Sequence, residues 1–136
     1  YVDMVCVHCG DKTKVSNSRR QHKGNQVWRR RQCLQCGAVF STTESVQYEL
    51  AWAVRRGNRL GPFQRDKLFL SLHRSCQHRK SALSDAKSLT ETVIHKLRGR
   101  VTKGTLDSSD IALVAQVALN RFDKAASVHY QAFHKG

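Results

Sequence analysis

The chain has 136 residues and a formal net charge of +14, from 24 Lys and Arg against 10 Asp and Glu. That length holds one ordinary domain or two small ones, and such a charge favours a polyanionic partner, with nucleic acid ahead of nucleotide or anionic lipid. Five cysteines, four of them in two close pairs, do not resemble a secreted disulfide framework. No apolar run reaches the ~18 residues of a membrane span and nothing at the start reads as a signal peptide, so a cytoplasmic protein without a membrane partner is expected.

In chain order, Tyr1, Val2 and Asp3 precede Met4 and are assigned no role. The first chemical feature is Cys6-Val7-His8-Cys9-Gly10, matched later by Cys33-Leu34-Gln35-Cys36-Gly37. Four soft thiolates in two such pairs suit tetrahedral Zn(2+), at Zn–S distances of ~2.3 Å and with no open coordination position. Two disulfides or a redox dithiol are the competing readings. The glycine after each second cysteine can take the positive φ that curls the backbone round a metal. His8 lies inside the first pair, but four thiolates already fill the tetrahedron, so it is expected to be exposed.

Residues 6–44 read as short β-like pieces. Gln26–Gln32 leads into the second knuckle and Ala38–Thr43 leads out of it, with Gly24-Asn25 as a hairpin turn. So few apolar residues cannot hold a fold alone, and the metal has to supply much of the stability. Lys14, Arg19, Arg20, Lys23 and Arg29-Arg30-Arg31 concentrate positive charge between the knuckles. On a strand, Arg29 and Arg31 share one face while Arg30 projects from the other. Guanidinium forks suit phosphates and guanine edges, so nucleic-acid contact is the functional reading and a solvated charged face the bland one. Trp28 either stacks on a base or covers a thin core.

Residues 46–56 are rich in β-formers and end at a second hairpin signal, Gly57-Asn58. The period then becomes helical. Gln64 to Cys76 spaces Leu68, Leu72 and Cys76 by fours, and Ser84 caps a helix carrying Leu89, Val93, Ile94 and Leu97 on one stripe. Gly99 and Gly104 bracket Arg100–Lys103, a loop or brief strand. Asp107 or Ser108 then caps a helix from about Asp110 to Phe122, with Ile111, Val114, Ala115, Ala118 and Phe122 facing inward. A last helix, Lys124 to His134, carries Val128, Tyr130 and Phe133, of which the two aromatics are core or subunit-interface candidates. The second part is therefore a hairpin packed by about four helices.

Basic residues flank the Gly57-Asn58 turn and Lys67 follows in the first turns of a helix. That arrangement can collect nucleotide phosphates, although a plain basic hairpin reads the same way. Cys76 between His73 and His78 reads as a helix cysteine rather than a second metal site. No Ser-His-Asp set or paired acids support catalysis, so a non-enzyme is expected.

The order of these motifs resembles the NrdR family, bacterial zinc-ribbon/ATP-cone repressors of ribonucleotide reductase genes. The resemblance runs through the first knuckle, Thr13-Lys14-Val15, Ser18-Arg19, Val27 to Arg31, the second knuckle and Phe40-Ser41-Thr42-Thr43-Glu44. It continues through Val54-Arg55-Arg56, Phe63 to Leu68 and Asp123 to Tyr130. It implies an α+β fold, an N-terminal β zinc ribbon followed by a mostly helical ATP-cone domain. The expected boundaries are 4–44 for the ribbon, 45–49 for a linker and 50–136 for the cone. Zn(2+) would sit on Cys6, Cys9, Cys33 and Cys36. Double-stranded promoter DNA would meet Lys14, Arg19, Arg29, Arg30 and Arg31. ATP or dATP, as regulatory ligand, would meet Arg55, Arg56, Lys67 and Arg79. A homo-oligomer in the bacterial cytoplasm, on the nucleoid when bound to DNA, completes the picture. An ATP-cone protein acting directly on an enzyme, or a zinc-ribbon RNA-binding module, are the alternative functions.

Overall fold

The computed structural model describes residues 3–21 and 25–134. They divide into two compact units that meet in sequence between Val46 and Gln47. The expected turn residue Gly24 and the charge of Lys23 lie outside the described residues, while Asn25 beside them has the positive φ of 51° that such a turn uses.

The first unit is an antiparallel sheet of β1 (Thr13–Gln21), β2 (Gln26–Cys33) and β3 (Val39–Glu44), in that spatial order. Its register is interrupted once. Val15 pairs with Arg31 and Asn17 with Arg30, leaving Ser16 as the extra residue of a β-bulge. Hardly anything is buried: Cys6, Thr13 and Cys33 are the only buried side chains among its described residues. A sheet with no apolar core needs another source of cohesion, which the four cysteines supply.

The second unit opens with a departure from expectation. Residues 46–52, rich in β-formers, do not continue a strand. Tyr48–Ala51 form a short helix, α1, and only Ala53–Arg56 are extended, as β4. Packing decides this. The helical turn drops Tyr48 into the interior, where its ring meets Trp52 at 4.5 Å and Phe63 at 6.2 Å between centroids. Aromatic burial on this scale outweighs a strand propensity worth at most ~1 kcal/mol.

The expected hairpin forms between β4 and β5 (Arg59–Pro62), with Gly57-Asn58 at its turn. It is not a lone hairpin, because β6 (Thr105–Asp107) pairs in parallel with β4 on its other edge. Arg100–Lys103 thus becomes the end of a 3₁₀ turn (Arg98–Arg100) and a tight turn that Thr102 closes by bridging to Thr105, and the strand begins after Gly104. Four further helices follow the sheet or join its strands: α2 (Arg65–Ser75), α3 (Ala82–Leu97), α4 (Ser108–Phe122) and α5 (Lys124–Phe133). The N-cap of α3 is Ser81, about a turn earlier than Ser84, and Ser84 Oγ instead donates to the Ser81 carbonyl at 3.3 Å.

The core of this unit takes the expected stripes. Leu68, Leu72 and Cys76 meet Leu89, Val93, Ile94 and Leu97, with Leu72, Cys76, Val93, Ile94 and Leu97 wholly excluded from solvent. From α4 come Val114, Ala115, Ala118 and Leu119, while Phe122, expected inward, is 40% exposed. Phe122 instead lies under the Arg79 guanidinium, 4.6 Å from its ring centroid. Tyr130 is buried and Phe133 is 45% exposed, so the core claims only one of the two aromatics. No helix among the described residues is long and apolar enough to cross a membrane.

Candidate metal centre, nucleic-acid face and ligand cavity

The Cys6–Cys9 turn and the Cys33–Cys36 turn bring four Sγ atoms within 4.8 Å of one another. Cys6 and Cys36 approach to 3.6 Å, Cys9 and Cys33 to 3.5 Å. Sulfurs at the corners of a tetrahedron around zinc lie ~3.8 Å apart when Zn–S is ~2.3 Å. The donor set therefore fits Zn(2+) with little movement.

Local backbone geometry explains how the pairs are built. Gly10 and Gly37 have φ of 79° and 76°, a region costly for any residue with a Cβ. These turns point amide N–H groups at sulfur: His8 donates to Cys6 Sγ, and Gln35 and Cys36 donate to Cys33 Sγ, each at 3.3 Å. The Cys36 N–H holds the Cys33 thiol down to about 6, with the Gln35 N–H adding to it against burial. The Asp11 N–H favours the Cys9 thiolate, yet sharing a proton with Cys33, together with burial, pushes that thiol up to about 12. Such a spread marks four crowded sulfurs that cannot all carry charge without a cation among them. Cys76 stands apart, buried beneath α2, and the four knuckle cysteines form the only metal-ligand cluster among the described residues.

The sheet sorts the basic residues by parity. Directly paired residues of neighbouring strands share a face. On one face stand Lys14, Asn17 and Arg19 of β1, beside Gln32, Arg30 and Trp28 of β2. The bulge at Ser16 matters here, because without the extra residue Lys14 would project from the opposite side to Arg19. Arg19 lies over the Trp28 ring, 5.7 Å from its centroid, while Arg30 and Lys14 are exposed.

Arg29 and Arg31 lie on the other face, as alternation dictates, and each is tied to a neighbour. Arg29 Nη1 donates to Ser18 Oγ at 2.9 Å. Arg31 Nη1 meets Asp3 Oδ1 at 2.7 Å, and its side chain is only 11% exposed. Sequence reasoning gave Asp3 no role; a contact across the fold to the second strand has no local signal.

In the second unit a cavity of about 870 Å³ opens between the sheet and the helices. Val54 and Arg56 of β4, Gly61 and Pro62 of β5, then Phe63 and Gln64 line one side. Lys67, Leu68 and Ser71 of α2, Ser108, Ser109, Ile111 and Ala112 of α4, and Tyr130 and His134 complete it. This volume lies within the ~300–1,000 Å³ of small-molecule sites. Two helices begin at its wall, and neither Gln64 nor Asp107 caps its helix through a side chain. The first-turn amides of both helices are thus donors for an anion. With Arg56 and Lys67 in the wall, the residues fit the phosphates of a nucleotide.

Strand alternation divides the expected nucleotide residues. Arg56 lines the cavity with Val54; Arg55 between them projects from the opposite face, in register with Asp107 of β6. Arg79 does not line it. Its Nε and Nη1 bind Asp85 at 2.9 Å and Asp123 at 2.8 Å, linking the first turn of α3 to the start of α5. Asp123 also caps α5, accepting from Ala125 N and Ala126 N. The Arg79 guanidinium foremost, then His78 and the Ala126 N–H, hold the Asp123 carboxyl well below the usual carboxylate range. Ser108, Ser109, Tyr130 and His134 were not anticipated at the site. A Ser-Ser pair opening an apolar helix was a visible signal, whereas the placement of α5 across the cavity was not.

The chain has relatives among known proteins. The family described as "Transcriptional repressor NrdR-like, N-terminal domain" matches residues 4–44. A protein named transcriptional repressor NrdR from Tropheryma whipplei (strain Twist) is 32% identical over 133 residues, covering 97% of this chain and 88% of the relative. Its namesake from Streptococcus pneumoniae (strain Hungary19A-6) is 30% identical over 97% of this chain and 84% of the relative. The chain belongs to the NrdR family. As in that family's N-terminal domain, the four cysteines constitute a zinc ribbon, with a closed Zn(2+) site that leaves no coordination position for a substrate. NrdR membership spans the helical unit as well, since the relatives align over nearly the whole chain.

Proposed function

We propose that this member of the NrdR family is a nucleotide-sensing, DNA-binding transcriptional repressor of ribonucleotide reductase genes. It acts by binding rather than by catalysis, in the bacterial cytoplasm. The observation that carries the reading is the single ribbon face that Lys14, Arg19 and Arg30 share with Trp28. Three cations on a metal-stiffened sheet suit the phosphates of double-stranded DNA, and an arginine fork such as Arg30 suits a guanine edge. Arg29 and Arg31 support that face from behind, through Ser18 and Asp3.

The helical unit is the sensor. Arg56, Lys67 and the α2 and α4 N-termini would hold the phosphates of ATP or dATP, and the apolar wall of Phe63, Leu68 and Ile111 would take the base. A bound nucleotide changes repression only by binding one assembly of subunits more tightly than another, so homo-oligomers with different DNA affinity belong to the proposal.

The test measures binding to a ribonucleotide reductase promoter, and mass in solution, with no nucleotide, with ATP and with dATP. Nucleotide-dependent DNA affinity, lost in Arg19→Ala with Arg30→Ala, is the expected result. Equal affinity and equal mass in all three states would refute gating. Equal competition by RNA would point instead to an RNA-binding module.

A further inference from the structure

His134 lies just beyond the last turn of α5, at the wall of the cavity. Its ring packs on Tyr130, with centroids 4.1 Å apart and planes tilted by 35°. Among the described residues, the charged groups that line the cavity or act on this ring are all cationic. Arg56 comes from β4, and Arg74 and Lys67 come from α2. Arg74 lies over the Phe133 ring at 3.9 Å, which holds its charge beside the end of α5. From α4 the cavity receives only serines and apolar side chains, and no carboxylate lines it among the described residues. Burial first, then the charges of Arg74 and Arg56, push the imidazole below its usual value. In the free protein the cavity therefore disfavours the imidazolium form of His134.

We infer that His134 is a proton-coupled ligand for the phosphate tail of a nucleotide, taking up a proton as the anion enters the cavity. This rests on the nucleotide reading proposed above and adds to it a charge that exists only in the bound state. An incoming polyphosphate offsets Arg56 and Arg74 and attracts an imidazolium, so the bound histidine holds its proton to higher pH than the free one. By linkage, affinity rises as pH falls through the window between the two values and levels off below the lower. The device selects for phosphate charge: a nucleoside without phosphates gains nothing from it.

Calorimetry of ATP and adenosine with the full chain tests this at about pH 6 and about pH 8, in two buffers of different ionisation enthalpy. Wild type is expected to bind ATP about fivefold more tightly at the lower pH, short of the tenfold limit of a one-unit shift because the free imidazole is itself partly protonated there. It should also take up more protons than His134→Gln, in which only the nucleotide's own phosphate titrates. His134→Arg, permanently charged, should bind ATP at the higher pH as tightly as wild type does at the lower, without the excess proton uptake. Adenosine binding should not change with pH. A His134→Gln protein with the wild-type pH profile and proton count overturns the inference alone, provided Lys67→Ala still weakens ATP binding. ATP failing to bind wild type at either pH overturns the nucleotide reading and this inference with it.

Discussion

The two halves of this chain hold themselves together by different means. In the ribbon, Cys6, Thr13 and Cys33 are the only buried side chains among the described residues, and two of those are zinc ligands. The helical unit buries Leu72, Val93, Ile94, Leu97 and Leu119 completely. One half is therefore a metal site with strands attached, and the other is a packed core with a cavity left in it. Function divides along the same line. The ribbon's working residues sit on one exposed face, ordered by strand alternation, whereas the cavity needs residues from β4, β5, α2, α4 and the end of α5 at once.

Removing the metal strikes hardest at this contrast. Chelation of zinc, or Cys33→Ser, is expected to unfold the ribbon and abolish DNA binding, while the helical unit keeps its far-UV circular dichroism and its own thermal transition. Loss of both transitions together would show that the halves do not fold independently. The converse experiment truncates the core. Leu97→Ala should destabilise the helical unit by about 2–5 kcal/mol in urea denaturation and leave metal affinity unchanged.

A smaller effect separates the tie of the second unit from its cavity. The Asp123 carboxyl is depressed by Arg79, by His78 and by the α5 amides, so it stabilises the fold above its ordinary carboxylate value. That contribution is lost as acidification protonates it in the native state. The wild-type thermal midpoint should therefore fall as pH drops below about 5, and Asp123→Asn should start a few degrees lower and fall less steeply. An equally steep fall in the variant would remove Asp123 as the cause. The finest distinction lies within the arginine run. Arg30→Ala should reduce the slope of log K against log salt by about 1. Arg31→Ala should leave that slope alone and lower the ribbon's thermal midpoint instead, because Arg31 faces Asp3. Equal slopes for both variants would contradict the sorting by face.

Legibility in the sequence tracks the same boundary. Two Cys-x-x-Cys-Gly turns specify their metal through bond lengths and glycine dihedrals, which are local. The parity of Arg29, Arg30 and Arg31 was readable too, because alternation is a property of any strand. The bulge at Ser16 was not, since it appears only when two strands are paired, and it decides that Lys14 joins Arg19 and Arg30. In the helical unit, the stripes of α3 and α4 announced a core. The start of that unit misled, because Tyr48 gains more from meeting Trp52 and Phe63 than its neighbours gain from remaining extended. Arg79, a nucleotide contact by family resemblance, is a strut between Asp85 and Asp123.

By itself, then, the sequence determined the zinc ligands, the arginine-bearing strand, the Gly57-Asn58 hairpin and the helical character of most of residues 64–97 and 108–134, all set by spacing or period over a few residues. Only the tertiary structure decided which cations share a face, which one is tied to Asp3, and that the β4–β5 hairpin, two helix starts and the end of α5 meet around one cavity. Those outcomes depend on contacts between residues far apart in the chain, and such contacts are chosen by competition for burial and charge that no local pattern records.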